Sequence, residues 1–382
     1  MLHDVLVAGG GPAGATLALA LRDTRLAVRV LDARPAGGLG ASDRTLALAH
    51  TARLIFERIG IWERLESVTA IEEIDISQRG GFGVTRLQAV EAGVPALGYV
   101  VRYGELQAAL DQALADAGIA LDFGCRVEAI SATRDHATLV ARVNGVPETH
   151  LTRLVVVADG SGDALPEIHR RKINYGQHAL TARISAAAPR PGVAFERFTR
   201  DGPAALLPFE GGYALIWTAT PARTAELQAL GDADFLAALQ AHFGERVGRF
   251  TAVAERKSFP LTLQFAQRVA APRAVLLGNA AQALHPVAGQ GFNLGLRDVW
   301  TLAAQLQQAR PEDIGSTGQL DAYAKSRRVD RWAGVAFTHS LIQAFANDHP
   351  LAVASRGLGL TLLDSIPLLK HAFARTMLNG LR

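Results

Sequence analysis

An α/β fold is what this sequence predicts: a parallel sheet with covering helices, interleaved with an antiparallel sheet and followed by a helical C-terminus. Three observations carry the prediction, and each is an apolar run that ends in glycine. Val5-Leu6-Val7-Ala8 runs into Gly9-Gly10-Gly11-Pro12-Ala13-Gly14, then into a helical stretch bearing Leu17, Leu19 and Leu21. Val155-Val156-Val157-Ala158 ends in Asp159-Gly160. Ala274 to Leu277 leads into GNAAQALHPVAGQGFNLGLRD, residues Gly278 to Asp298. There a His285-Pro286 turn precedes Gly289-Gln290-Gly291-Phe292-Asn293 and a long apolar-striped helix.

The first element places G-x-G-x-x-G on Gly9, Gly11 and Gly14 in a strand–turn–helix context. Gly9 permits the tight turn, Gly11 lets a pyrophosphate approach the backbone, and Gly14 lets helix and strand pack closely. A second strand, Val28 to Leu31, ends at Asp32, whose carboxylate is suited to a ribose hydroxyl. NAD and FAD enzymes share this fingerprint. An extended cofactor lying across the domain would touch all three strand ends, and FAD is long enough to do so. Alone, Asp159-Gly160 is an ordinary turn. In the third element, glycines at a helix start expose free backbone N–H groups at the positive end of the helix dipole. A planar ring that becomes anionic on reduction would be stabilised there, although a plain glycine-rich loop has the same appearance.

On these residues the chain resembles the single-component FAD-dependent aromatic hydroxylases, the flavoprotein monooxygenases of the p-hydroxybenzoate hydroxylase type. Within them it resembles the ring hydroxylases of ubiquinone biosynthesis, of the 2-polyprenyl-6-methoxyphenol hydroxylase type. The likeness runs from Asp4 to the C-terminal helices, and its most specific part is Gly278 to Asp298. Most of the superfamily carries Asp where this chain has Asn279, and an amide can still hydrogen-bond a ribityl hydroxyl. The fold it implies is a Rossmann-like, glutathione-reductase-like FAD-binding domain interleaved with an antiparallel-sheet substrate domain.

Carried over position by position, the resemblance sets Gly9, Gly11, Pro12, Ala13 and Gly14 at the pyrophosphate, and Asp32 and Arg34 at the adenosine. Asp43-Arg44 falls at a site where an arginine lies beside FAD, a solvated surface charge being the alternative for Arg44. Arg102 falls where relatives carry a polar or acidic contact, so its charge departs from the pattern. Val127 matches an adenine-side strand or is an ordinary core valine. Asp159, Gly160, Gly278, Asn279, Pro286, Gly289, Gly291, Phe292 and Asn293 complete the expected FAD contacts. No metal site is expected. A larger departure concerns the electron donor, NAD(P)H, which in the superfamily is tied to a Ser and an Arg after Asp-Gly. Here those positions hold Asp163 and Pro166, and whether Arg170 or Arg171 substitutes is open.

The chemistry implied is insertion of one atom of O2 into an electron-rich phenol. Pro286 would shape the wall beside the reacting ring. His285 would either accept the phenol proton, since imidazole titrates near neutrality, or serve only the loop; Tyr213 and His178 are weaker candidates. Two other functions remain open: a related flavoenzyme acting on another aromatic or prenyl substrate, and a flavin-binding scaffold of a biosynthetic complex.

Residues 1–72, 98–176 and 270–335 are assigned to the FAD-binding domain, with 73–97 and 177–269 to the substrate domain and 336–382 to the C-terminal helical segment. In the first, a helix spans Gly104 to Ala117. In the second, 73–97 forms a flap, strands run from Ala204 to Phe209 and Tyr213 to Thr218 about a Glu210-Gly211-Gly212 turn, and a helix from Asp232 to Phe243 buries Phe235 and Leu239. The tail from Ile342 to Leu381 is unusually apolar. It either packs on the FAD domain or faces partner proteins or a bilayer, with Lys370, His371, Arg375 and Arg382 toward anionic headgroups.

The 382 residues suffice for two joined domains. A formal charge of +3 without charge runs argues against nucleic acid. One cysteine, Cys125, excludes an internal disulfide and suits a reducing compartment. The first strand starts within a few residues of Met1 and Arg356, Asp364 and Pro367 interrupt the apolar tail, so the expectation is a cytoplasmic protein without a leader or membrane span. Peripheral contact with the inner face of the membrane is the alternative that a polyprenyl phenol substrate suggests.

Overall fold

The computed structural model describes residues 2–38, 44–143, 145–345 and 349–380. Its first sheet places Leu2–Ala8 between Val28–Leu31 and Val146–Val157, parallel to both. Ala120–Asp122 continues it beyond Val28–Leu31, and Ala274–Leu276 beyond Val146–Val157, again in parallel. Val5, Leu6 and Val7 have no exposed surface, as expected of a parallel strand covered on both faces. The helices Pro12–Ala20, Tyr103–Asp116 and Gln290–Gln308 bury their apolar stripes against it. The strands Ala274–Leu276, Val146–Val157 and Leu2–Ala8 are neighbours in that order. Their C-terminal ends therefore lie side by side, and three glycine turns far apart in sequence meet at one sheet edge.

The second sheet runs, in spatial order, through Gln282–Ala283, Phe250–Ala266, Arg170–Ala186, Gly212–Ala219, Gly202–Phe209, Val193–Thr199, Glu73–Gln78 and Val84–Gln88. All pairings are antiparallel except Val193–Thr199 with Glu73–Gln78. Glu210 and Gly211, both at positive φ (48° and 76°), form the two-residue turn of the central hairpin, the geometry that matches strand twist. Alternate residues take opposite faces. Leu180, Leu206 and Trp217 pack under the helix Asp232–Phe243 with Phe235 and Leu239, whereas Thr181, Leu207 and Ile216 face the first sheet.

Three expectations change. Residues 73–97 are no flap, because Glu73–Gln78 and Val84–Gln88 complete the second sheet and the short helix Ala89–Ala92 follows. The strand Arg170–Ala186 crosses the assigned boundary at 176, and Gln282–Ala283 pairs with the second sheet from within the segment given to the first. The tail forms the helices Pro350–Ser365 and Pro367–Asn379; the latter packs on the helix His50–Arg58 of the FAD-domain segment, where Thr51 Oγ1 donates to Leu378 O at 2.8 Å, whereas the former packs on the Glu73–Gln88 hairpin. Gln78 Nε2 donates to Val353 O at 3.0 Å, Thr85 Oγ1 to Leu360 O at 2.8 Å, and Arg86 N to Asp364 Oδ1 at 2.9 Å.

Candidate functional site

A single cavity of about 1330 Å³ lies between the glycine-bearing edge of the first sheet and the inner face of the second. Single small-molecule pockets run to roughly 300–1,000 Å³, so this space suits a long cofactor and a second molecule together.

At one end the walls are mostly backbone. Gly9 sits at φ 109°, and a Cβ there would lie 2.6 Å from the backbone of Ala158 and Asp159. A Cβ on Gly14 would overlap the Gly9 carbonyl oxygen, so only glycine lets helix Pro12–Ala20 start this close to the turn. Gly11 differs: a Cβ there meets nothing within 4 Å and would project into open space. That helix start has no side-chain cap, which leaves its N–H groups available. Asp32 is 5% exposed, and its carboxylate accepts from Arg34 N at 2.8 Å and Arg34 Nε at 3.1 Å. Arg34 in turn grips Asp111 and the Gly10 carbonyl, so this end is pre-organised as an ionic cluster. Val127 lines the same end.

At the middle, Asp159 and Gly160 line the cavity, and the Asp159 carboxylate accepts from the backbone of Ser161 and Gly162 to fix its own loop. Arg170 reaches back to the same loop. Its guanidinium donates to Ser161 O and, at 3.0 Å, to Asp163 Oδ1, so it clamps the loop. Arg44 lines the cavity with its guanidinium over the Tyr103 ring at 4.5 Å. Asp43 lies outside the described residues.

The third turn presents Gly278, Asn279, Pro286, Gly289, Gly291 and Phe292 to the cavity. Asn279 makes no protein hydrogen bond among the described residues, so both ends of its amide are available to a ligand. Gly289, at φ 60°, starts the helix Gln290–Gln308 without a side-chain cap or an acidic first turn. The uncapped N–H groups and the dipole there favour a group that gains negative charge. Asn293 serves that start from behind and does not line the cavity. Its Oδ1 accepts from Ala49 N at 2.8 Å, while Nδ2 donates to Ala47 O at 3.0 Å and Gly289 O at 2.8 Å. A buried network of Asp298, Arg327, Arg331 and Gln282 anchors the loop on the helix Thr317–Phe345.

Neither His285 nor Arg102 joins the site. His285 is 1% exposed, absent from the cavity wall, and held by burial at a pKa of about 4. Its Nδ1 accepts from Val287 N at 3.2 Å, so the neutral ring carries its proton on Nε2 and has no lone pair to offer a phenol. The Tyr175 ring packs edge-on against it. Arg102 is engaged with Glu210 and lies over Phe209, beside the cavity but outside its wall. Tyr213 is buried on the far face of the second sheet, where its hydroxyl accepts from Arg190 N. Among the described residues, no group of three or more His, Cys, Asp or Glu is placed to hold a metal.

The other end of the cavity is apolar and was not foreseen. Ile74, Ile76 and Leu87 come from the second sheet, Phe337, Leu341 and Phe345 from the long helix, and Leu360, Leu363, Phe373 and Met377 from the C-terminal pair. Phe337, Leu341 and Phe345 recur every fourth residue, a spacing that reads as ordinary helix core. Nothing in sequence separates a core stripe from the wall of a chamber.

The two ends together have the donors, the glycine cradle and the length for a flavin dinucleotide beside an apolar guest. A family model for the FAD binding domain matches residues 3–338. The ubiquinone hydroxylase UbiL of Rhodospirillum rubrum is 34% identical over 99% of this chain and 90% of its own. The 3-demethoxyubiquinol 3-hydroxylase of Escherichia coli is 30% identical over 96% of each. Among solved structures, p-nitrophenol 4-monooxygenase PnpA of Pseudomonas putida superposes with a TM-score of 0.80 at 17% identity, covering 100% of this chain and 99% of its own.

Proposed function

The chain belongs to the FAD-binding-domain family, and on that premise we propose that it hydroxylates the aromatic ring of a polyprenylated phenol in ubiquinone biosynthesis. It is an FAD-dependent monooxygenase. The reaction balances as ring C–H, O2, NAD(P)H and a proton giving ring C–OH, water and NAD(P)+. Bound FAD supplies the electron transfer from NAD(P)H to O2 and delivers one oxygen atom to the ring.

The chain's own residues bind, orient and keep water out. The free N–H groups of Gly11, Ala13 and Gly14 hold the pyrophosphate, while Gly9, whose own N–H donates to Leu31 O, and Pro12, which has none, shape the turn around it. Asp32 holds the ribose, with Arg34 keeping its carboxylate oriented, and Val127 flanks the adenine. Asp159, Gly160 and Asn279 take the ribityl chain, and Arg44 lies alongside. The helix start at Gly289, Gly291 and Phe292 offsets negative charge on the flavin ring, an electrostatic role of the oxyanion-hole kind. Pro286 shapes the wall at the reacting edge. The apolar end holds the tail of the substrate and keeps the ring's surroundings dry. In this reading the substrate resides in lipid, and the enzyme works as a peripheral protein at the inner face of a membrane.

One observation carries the reading: the glycine cradle and the apolar chamber are a single continuous space. The test is purified protein with FAD, given NAD(P)H and a prenylated phenol. Substrate-stimulated NAD(P)H oxidation, with one oxygen gained in the product mass, supports the reading. A yellow protein that shows no stimulation is a scaffold instead. The ring position is proposed from the resemblance as that of the 6-methoxyphenol step. The likeness to a 3-demethoxyubiquinol 3-hydroxylase favours a second position. Which intermediate accumulates in a deletion strain decides between them, and normal quinone levels would remove both.

A further inference from the structure

The helices Pro350–Ser365 and Pro367–Asn379 meet at 95°, and no single helix among the described residues is long and apolar enough to cross a membrane. Their inner face closes the apolar end of the cavity through Leu360, Leu363, Phe373 and Met377. Their outer face leaves Leu351 75%, Leu358 54%, Leu368 79% and Leu369 48% exposed, with Leu362 and Ile366 less so. Phe82, whose backbone abuts Gly357, and Val90, on the short helix next to Pro367–Asn379, extend the same surface. The other exposed large apolar residues are at most two to an element (Val146 and Leu151 on one strand, Val329 and Trp332 on the long helix, Leu2, Leu54 and Phe259 singly), and such scattered side chains need no explanation.

We propose that this outer face seats on a bilayer containing anionic lipid, and that the two helices are the portal through which a hydrocarbon tail passes from the acyl chains into the cavity. The tail's use of the portal rests on the reading of the substrate as a polyprenylated phenol; the seating on lipid does not. Two further observations select lipid over a protein partner. First, the same helices carry apolar side chains on both sides. A tail entering at the bend between the two helices, clear of their hydrogen-bonded seam with the Glu73–Gln88 hairpin, passes from Leu362, Ile366 and Leu369 outside to Leu363 and Phe373 inside and stays among apolar side chains. A soluble partner would cover the outer face and block that route. Second, residues 350–380 hold Arg356, Lys370 and Arg375 against Asp364 alone, a net charge of +2 with His371 neutral. Arg375 and His371 are exposed and have no acidic partner among the described residues, which places positive charge beside the apolar face. Lys370 bridges Glu91 and Asp364 and fixes the bend against the Ala89–Ala92 helix.

The experiment uses the full chain loaded with FAD and vesicles of phosphatidylcholine with or without phosphatidylglycerol. Wild type is expected to co-sediment with the mixed vesicles and to be released by salt. The double variant Leu351→Gln, Leu368→Gln changes two residues that touch neither cofactor nor cavity wall, so its flavin absorbance and Tm stay as in wild type. Its partition should fall at least about tenfold, the minimum expected for two leucines that no longer enter the acyl region. Unchanged partition in the variant, or no partition of wild type, overturns the proposal. A wild-type dimer in solution that the variant dissolves also overturns it, by assigning the face to a second copy. Turnover then tests the portal: the variant should lose about tenfold on a long-tailed phenol held in vesicles and nothing on a tail-less soluble phenol. Equal loss on both removes the portal. Partition without any hydroxylation would sink the proposed function and leave the seating on lipid standing.

Discussion

The two ends of the cavity are built by different means. Around Gly9–Gly14, Asp159-Gly160 and Gly278–Gly291 the wall is backbone, set by turns that only glycine completes, and the polar groups come from positions adjacent in sequence. At the apolar end the wall is side chains from the second sheet, the long helix and the C-terminal pair, with no turn or spacing that singles them out. A backbone-built site tolerates almost no added atoms, whereas a side-chain-built chamber exchanges volume for volume.

The largest expected effect breaks the backbone end. Gly14→Val puts a side chain into the Gly9 carbonyl, and overpacking of about 1–3 kcal/mol or more should leave little folded, FAD-binding protein. Gly11→Ala sharpens the point. Its φ of −62° suits alanine and its Cβ meets nothing, so the Tm of the apo-protein should hold while FAD affinity falls at least about tenfold. Equal loss of stability in both variants, measured by thermal melts without FAD, would show that Gly11 is structural.

At the apolar end, Phe373→Ala should keep the flavin spectrum and raise KM for a prenylated phenol by roughly 10–200-fold, as lost apolar contacts of about 1–3 kcal/mol imply. A matching fall in FAD affinity would erase the distinction between the ends.

Acid reads the packing behind both ends. Burial holds His285 at a pKa of about 4, and burial with Arg79, Arg197 and Arg223 nearby holds His242 at about 3, against an ordinary value of 6.5. Below 6.5 the unfolded chain binds protons that the folded chain refuses. The contribution of these neutral rings is therefore complete above that pH, is lost progressively as pH falls, and is gone once the folded groups protonate near 4 and 3. His285→Asn keeps an acceptor for Val287 N and removes the titration, so its Tm should fall less steeply than wild type between pH 6.5 and 4. Identical slopes would mean that His285 does not titrate on unfolding.

The smallest effect is expected at Arg102. Its pair with Glu210 is partly exposed on both sides, so Arg102→Ala should cost about 0.2–1 kcal/mol and leave FAD affinity unchanged. A large loss of flavin would return Arg102 to the cofactor.

Much of the first sheet was legible because its strands are apolar runs punctuated by glycine. The strand Val28–Leu31 and the helix Asp232–Phe243 fall where periodicity sets them. The site was legible where a residue's role is local: Gly9, Gly14 and Asp32 act within their own turns. It was not legible where the role depends on what faces the residue. Asn293 spends its amide on Ala47, Ala49 and Gly289, and His285 spends Nδ1 on Val287, although both stand in the most specific motif of the chain. Arg170 clamps the Asp159–Asp163 loop from a strand that motif matching leaves blank.

By itself the sequence determined that a dinucleotide cradle exists and which turns compose it, because a backbone that must approach a ligand requires glycine at fixed offsets whatever surrounds it. Only the tertiary structure decided that residues 73–88 close the second sheet and that the C-terminal helices wall the cavity while leaving a second apolar face outside. An apolar side chain carries no mark of its partner; what it buries against is fixed by the packing of distant segments, and that choice exists only once the chain has folded.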